Sequence, residues 1–192
     1  MADPRQLWVL AGGNGAGKST FYRLYLAGYG IPFVNADLIA RDLRPENPEE
    51  VSYHAATLAD QIRKDLIAQR ISFCFETVFS HESKIDFLAR AKAHEYRIIL
   101  VYIHLFDCSL NEARVRQRIS EGGHRVPIDK IHSRIPRTLQ HIKNALFIVD
   151  EARILDNSSK EDPFKQIIVM QAGNYEIKAD ILPEWAKDLL PA

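Results

Sequence analysis

Short apolar runs alternate along this chain with longer segments in which apolar residues recur every three or four positions. The runs have the length of buried β-strands and end at glycine, polar or charged residues. The predicted strands are LWVLAG (7–12), IPFVN (31–35), ISFCFETVF (71–79), RIILVYIHL (97–105), ARILDN (152–157) and KQIIVMQ (165–171). Because RIILVYIHL is continuously apolar, it predicts a strand that is buried on both faces.

The segments between these runs predict helices. Apolar residues from Ile128 to Leu146 step by three or four positions, which predicts a helix over about 127–147, bent at Pro136. The remaining helices are predicted from Gly17 onward and over 47–70, 81–96, 109–121 and 183–190.

Strands that alternate with helices predict an α/β fold with a mainly parallel, doubly wound sheet and right-handed crossovers. The length of 192 residues suits one well-buried domain and is short for two. The chain shows neither an internal repeat nor a linker of biased composition. We therefore predict a single domain over residues 1–192.

The composition indicates which classes of partner to expect and in which cellular compartment the protein lies. The chain carries 25 basic and 25 acidic residues, so its overall charge does not indicate nucleic acid or a membrane surface. Its apolar runs are shorter than the ~20 residues that cross a bilayer, and its first residues do not match a secretory leader. Cys74 and Cys108 are too few for a disulfide framework. We expect a cytoplasmic protein with neither a nucleic-acid nor a membrane partner.

The segment GGNGAGKST (12–20) matches the pattern G-x-x-x-x-G-K-[ST] between a predicted strand and a predicted helix. Its glycines let the backbone wrap around a phosphate, and the helix adds partial positive charge. Lys18 would bridge the β- and γ-phosphates of ATP, and the Ser19 hydroxyl would bind Mg²⁺. The candidate nucleotide-binding residues are Gly12, Gly13, Asn14, Gly15, Ala16, Gly17, Lys18, Ser19 and Thr20.

Two acidic residues are candidates for the chemistry. Asp37 follows the second predicted strand, where a carboxylate can accept the proton of an attacking hydroxyl; alternatively it caps a short helix. Glu76 lies in an apolar, aromatic strand, so it should bind Mg²⁺, another cation or a substrate hydroxyl, or form a buried ion pair. Ser80 shares the strand face of Glu76, whereas Thr77 points to the opposite face unless a bulge intervenes.

A third acidic motif, LFIVDEARI (146–154), resembles the strand with which many ATPases hold Mg²⁺. The helix predicted over 127–147 runs into this motif, and the strand begins only afterwards. Asp150 therefore precedes its strand and should lie at the edge of the sheet opposite the phosphate loop. We interpret the motif as a chance resemblance, although an ATPase of the switch or transporter type, which hydrolyses ATP without phosphorylating an acceptor, remains the alternative function.

Basic residues concentrate between positions 111 and 144, a segment that contains eight basic and three acidic residues. Arg118 lies on one predicted helix, Arg134 and Arg137 lie on the next, and Arg125 lies in the turn between them. Two basic helices on either side of a turn suit a lid that closes over a transferring phosphoryl group. Solvated surface arginines are the alternative, and a nucleic-acid face is not favoured because aromatic residues do not interleave with them.

Together these motifs resemble the zeta toxin family of P-loop kinases, in particular its short, single-domain bacterial members. The resemblance rests on GGNGAGKST, NADLIA, FETVFS, RVRQRISEGGHRVP with IHSRIPRTLQHI, and ARILDNS, in this order over roughly residues 7–158. It implies a three-layer P-loop kinase fold with a helical, arginine-rich lid over about 111–144. It also implies a kinase that uses ATP and Mg²⁺ to phosphorylate a UDP-activated amino sugar such as UDP-N-acetylglucosamine.

The resemblance also implies roles for individual residues. Asp37 would be the base that activates the sugar hydroxyl, and Glu76 would contact the sugar with Thr77 close by. Arg118 and Arg134 would bind the phosphates, with Arg137 as the competitor for the second position. Substrate contacts are further expected from Ser80 and Arg125, and a proteinaceous antitoxin is a possible partner.

Overall fold

The apolar strand residues form one sheet in the computed structural model, which describes residues 5–120 and 127–191 apart from the side chains of Arg118 and Ser120. The strands are β1 (Gln6–Ala11), β2 (Phe33–Val34), β3 (Phe73–Thr77), β4 (Arg97–His104), β5 (Glu151–Asp156), β6 (Lys165–Gln171) and β7 (Asn174–Ile177). Their order across the sheet is β2-β3-β1-β4-β5-β6-β7. The first five strands are parallel, and β6 and β7 are antiparallel to their neighbours.

Helices connect the parallel strands, and one short helix follows the last strand. They are α1 (Lys18–Phe21), α2 (Ala36–Leu43), α3 (Ser52–Ala68), α4 (Ser83–Ala93), α5 (Cys108–Ser120), α6 (Ile128–Ala145) and α7 (Glu184–Lys187). The first helix continues as a π-helix over Tyr22–Leu26 and a 3₁₀ turn over Ala27–Tyr29, and a 3₁₀ turn over Pro48–Val51 leads into α3. Among the described residues, none of these helices has both the length and the apolar character that crossing a membrane requires.

Helices cover both faces of the sheet, and alternate residues of β4 show this. Leu100 and Tyr102 belong to a core with side chains of α3, α4, α6 and α7. Val101 and Ile103 belong to a second core with Phe21 of α1. Since successive strand residues point to opposite faces, one continuous apolar strand contributes to both cores. The prediction of a three-layer α/β fold with a mostly parallel sheet is confirmed.

The hairpin of β6 and β7 was only half predicted, because the short segment that forms β7 has a weak apolar pattern. The strands are joined by Ala172 and Gly173, both of which have positive φ, as two-residue hairpin turns often require. This hairpin adds antiparallel strands beside β5. The carboxyl ends of the parallel strands β1 to β5 are where a ligand site is expected in such a sheet.

Candidate active site

The loop between β1 and α1 adopts a conformation that its glycines permit. Gly12 has a φ of 146°, and an added Cβ there would collide with the carbonyl oxygen of Ile103 in β4. Gly17 has a φ of 101°, and its Cβ would lie 2.5 Å from the side chain of Asn157. Since side chains other than hydrogen do not fit these positions, the two glycines allow the loop to pack closely against β4 and the end of β5.

Lys18 closes this loop from the inside. Its buried ammonium donates to the carbonyl oxygens of Gly12 and Gly13, both at 2.9 Å, and lies 3.7 Å from Oε1 of Glu76. A buried cation is stable only when it has such acceptors. The loop thus holds a positive charge at the position that a phosphate-binding lysine requires.

Two asparagines that the sequence analysis did not single out hold the loop from outside. Nδ2 of Asn111 in α5 donates to the Asn14 carbonyl oxygen at 2.7 Å, and Nδ2 of Asn157 donates to the Ala16 carbonyl oxygen at 2.8 Å. Both asparagines are buried. They are distant from the loop in sequence, and asparagine is common on surfaces, so only the fold reveals their role.

Glu76 joins the loop to the second strand. Its Oε2 accepts hydrogen bonds from the Ser19 hydroxyl at 2.7 Å and from Nδ2 of Asn35 at 2.9 Å. Together with the ion pair to Lys18, these contacts give the carboxylate three partners from two other segments. This strand carboxylate thus forms the buried ion pair that was one of its alternatives, and two of its three partners belong to the phosphate loop and the start of α1.

Asn35, rather than Asp37, caps the helix that follows β2. Its Oδ1 accepts from the backbone N–H groups of Asp37 at 2.8 Å and Leu38 at 3.3 Å. The alternative that Asp37 caps this helix is therefore wrong. Within residues 5–120 and 127–191, no side chain forms a hydrogen bond or an ion pair with the Asp37 carboxylate, which is half-buried at the same end of the sheet.

A cavity of about 990 Å³ lies at this carboxyl edge of the sheet. It brings together predicted residues from four segments: Lys18 and Ser19, Asp37, Glu76 with Thr77 and Ser80, and Arg134. Thr77 also lines the cavity, although the strand alternation predicted that it faces away from Glu76. The alternation no longer applies there because β3 ends at Thr77. Phe79, two residues later, has a φ of 63°.

The arginines of the predicted lid differ in position. Arg134 lines the cavity, and its Nη1 lies 3.5 Å from Oδ1 of Asn14 in the loop. Arg137 is exposed outside the cavity and donates through Nε to the Ser133 carbonyl oxygen at 3.0 Å. Arg125 and the side chain of Arg118 lie outside the described residues. Of the two competing arginines, Arg134 is the one that the fold places at the loop.

Arg114 is a cavity residue that the sequence analysis did not select. Its Nη2 donates to the Asn157 carbonyl oxygen at 2.8 Å, and its side chain lines the cavity beside the phosphate loop. Its spacing of four from Arg118 was the available signal. That spacing could not separate an inward arginine from a solvated one.

The acidic motif at the start of β5 lies at the other edge of the sheet. Asp150 accepts from the Ile98 backbone N–H at 2.8 Å and pairs with Lys92 at 2.7 Å. Glu151 pairs with Arg97 at 3.1 Å and Arg153 at 2.8 Å. Because β4 and β5 run parallel, these strand-start residues face away from the phosphate loop. The prediction that Asp150 lies at the wrong edge is confirmed.

Comparison with known proteins agrees with this architecture. A family model described as Zeta toxin matches residues 3–166. An uncharacterized protein of Haemophilus influenzae is 30% identical over 137 residues, which cover 68% of this chain and 97% of that protein.

Three solved structures show the same fold. A chain of the AvrRxo1-ORF1:AvrRxo1-ORF2 complex with sulphate ions gives a TM-score of 0.75 at 20% identity over 92% of this chain; the complex with ATP gives 0.73 at 19% identity over 92%. This chain spans 62% and 61%, respectively, of the lengths of those chains. A structure from the PezAT chromosomal toxin-antitoxin system of Streptococcus pneumoniae gives 0.65 at 13% identity, over 88% of this chain and 72% of that chain.

Proposed function

The chain belongs to the zeta toxin family, and from this premise we propose that it is an ATP-dependent kinase that phosphorylates a hydroxyl of a UDP-activated amino sugar resembling UDP-N-acetylglucosamine. One observation carries the proposal. The Glu76 carboxylate lies in contact with Lys18, Ser19 and Asn35, and Asp37 faces the same cavity. Groups suited to hold phosphates and a group suited to accept a proton therefore share one site.

The phosphate loop would hold the donor. Backbone N–H groups of residues 12–17 and the Lys18 ammonium suit the β- and γ-phosphates of ATP. The Ser19 hydroxyl and the Glu76 carboxylate, 2.7 Å apart, are hard oxygen ligands of the kind that Mg²⁺ prefers, so these two residues would hold it. When bound, Mg²⁺ would neutralise charge on the transferring phosphoryl group.

Asp37 would act on the acceptor. Its carboxylate lines the cavity without a bond from a described side chain, so it can accept the proton of a sugar hydroxyl. A positioned base of this kind contributes roughly 10²–10⁴-fold to the rate. Thr77 and Ser80 would contact the sugar, and Arg134, with Arg118 and Arg125 of the same lid, would stabilise negative charge on the phosphoryl oxygens.

We further propose that residues 1–192 form one kinase domain with a lid over about 111–144, and that a proteinaceous antitoxin binds it. The toxin-antitoxin system to which one structural relative belongs supports this partner.

The experiment is mass spectrometry of the reaction products with Mg·ATP and a panel of nucleotide sugars. We expect a phosphorylated UDP-sugar with the unchanged protein and at least a 100-fold slower product formation with Asp37→Ala, while ATP affinity stays within about twofold. Free phosphate as the sole product, released equally by Asp37→Ala, would favour the ATPase alternative and refute the kinase.

A further inference from the structure

A buried arginine of α3 lines the cavity. Arg63 of α3 is 6% exposed, and its guanidinium carbon lies 5.1 Å from the ring centre of Phe75 and 5.4 Å from that of Phe87. It lines the same cavity as Asp37. Burying a cation here is costly unless anionic or polar acceptors surround it.

The described residues offer Arg63 fewer hydrogen-bond acceptors than its guanidinium has N–H donors. Nη2 donates to Oδ1 of Asp60 at 2.9 Å, and that carboxylate is shared with Lys64, whose ammonium lies 2.7 Å from Oδ2. Among the described residues, buried Nε of Arg63 has no acceptor. A guanidinium has five N–H donors, and the bond to Asp60 uses only the Nη2 group.

A second cation lies beside it. Lys84, at the start of α4, is half-buried and lines the cavity next to His81. Burial lowers the pKa of the Lys84 ammonium, and the nearby charge of Arg63 lowers it further. In this cluster, Arg63, Lys64 and Lys84 carry three positive charges against the single carboxylate of Asp60.

The cavity therefore contains a second pair of cations in addition to those at the phosphate loop. Lys18 and Arg134 lie at the phosphate loop, whereas Arg63 comes from α3 and Lys84 from the first turn of α4. Since the loop cations would be occupied by ATP, the second pair is available to another anion.

We propose that Arg63 and Lys84 form an anion-binding subsite that recognises a phosphate group of the acceptor. This inference rests on the proposed function, in which the acceptor is a nucleoside diphosphate sugar. A phosphate presents several oxygens to the fork of a guanidinium and to a nearby ammonium, which are charge-assisted contacts. A carboxylate on the sugar would use the same chemistry, so the test has to separate the two sources.

The test is calorimetric binding to the full chain, with its phosphate loop saturated by Mg·AMP-PNP. The probes are UDP, uridine and glucuronate. We expect UDP to bind at least 30-fold more tightly than uridine. Lys84→Gln should weaken UDP binding about 10-fold and Arg63→Gln about 10- to 100-fold, while uridine and AMP-PNP affinities stay unchanged.

Lys64→Gln is the matched control, because Lys64 contacts the same Asp60 carboxylate but does not line the cavity. Its UDP affinity should stay within twofold of the unchanged protein. Arg63→Lys, which keeps the charge, gives a second variant if Arg63→Gln does not fold; it should bind UDP more weakly than the unchanged protein because the fork is lost.

Unchanged UDP affinity in folded Lys84→Gln and Arg63→Lys would overturn the proposal, as would failure of UDP to bind the unchanged protein. If glucuronate binding depends on the pair and UDP binding does not, the phosphate assignment is wrong. Failure of the kinase proposal looks different: UDP binding would still depend on Arg63 and Lys84, yet the nucleotide sugars would not be phosphorylated.

Discussion

Glu76 and Glu151 are glutamates of nearly equal burial, with side chains 13% and 12% exposed, on parallel strands of one sheet. Glu76 lies near the carboxyl end of β3 and contacts Lys18, Ser19 and Asn35. Glu151 begins β5 and is paired with Arg97 of the neighbouring strand β4 and with Arg153 of β5 itself. The two glutamates are thus alike in residue type and burial, and they differ in their position along the strand.

This difference follows from strand direction. In a parallel sheet the carboxyl ends of all strands lie at one edge, where the connecting loops can surround a ligand. The amino ends lie at the other edge, where Glu151 pairs with Arg97 across β4 and β5 and Asp150 pairs with Lys92 of α4. An acidic motif thus indicates a nucleotide site only when it ends a strand rather than starts one.

The largest expected effect is a difference in turnover between variants of these two glutamates. Glu76→Gln should slow phosphoryl transfer about 100-fold or more, because the change removes the negative charge that holds Lys18 and Ser19 in place. Glu151→Gln should leave turnover within about twofold, since its arginine partners lie far from the loop. Steady-state kinetics on both variants, with thermal unfolding as the control for folding, measures this. Equal losses of turnover would contradict the comparison.

The second prediction concerns the backbone at the carboxyl edge. Gly12→Ala should lower the free energy of unfolding by about 2–3 kcal/mol and abolish tight ATP binding, because the added Cβ meets the Ile103 carbonyl oxygen at a positive φ. Gly28→Ala is the control, since its Cβ would meet no atom within 4 Å among the described residues. Urea unfolding and ATP titration test both; similar effects of the two substitutions would refute the role of the close contact.

The third prediction concerns the end of β4, where Tyr102 and His104 lie against Trp185 of α7. Burial lowers the pKa of His104 to about 4, although Asp156 opposes the shift. Between the ordinary pKa near 6.5 and about 4, the unfolded chain binds a proton that the folded chain does not. Stability should therefore fall as the pH decreases, by about 2 kcal/mol between pH 8 and pH 5 from this residue.

Urea unfolding of His104→Gln at both pH values measures this contribution. The variant should lose about 2 kcal/mol less than the unchanged protein between pH 8 and pH 5. His94→Gln, which replaces an exposed histidine, should follow the unchanged protein. If His104→Gln shows the same pH dependence as the unchanged protein, another group is responsible.

The smallest effect is expected at the amino edge. Asp150→Asn should reduce the free energy of unfolding by about 1 kcal/mol, because the half-exposed ion pair with Lys92 contributes little and the Ile98 N–H can still donate to the amide oxygen. Turnover should be unchanged. A loss of turnover in a stably folded Asp150→Asn protein would show that this edge takes part in the reaction.

Much of the fold was predictable because its signals are local. The strand run RIILVYIHL and the apolar face from Ile128 to Leu146 predicted β4 and α6, and the fold confirms both. Glycine at positions 12 and 17 predicted the loop, since few other residues adopt its φ values. The same helical pattern showed that Asp150 precedes its strand.

The remaining features depend on segments that are far apart in the chain. Local pattern predicted a strand face for Thr77 and left two roles open for Asp37. Only the packed chain brings Asn35 against Glu76, Asn157 onto the loop and Arg63 into the cavity. Hydrogen bonds and charge partners act over about 3–4 Å in space, and sequence spacing does not report such distances once the chain turns. The sequence by itself therefore determined the α/β layers, the succession of strands and helices along the chain, and the phosphate loop. The tertiary structure decided which polar side chains meet around that loop.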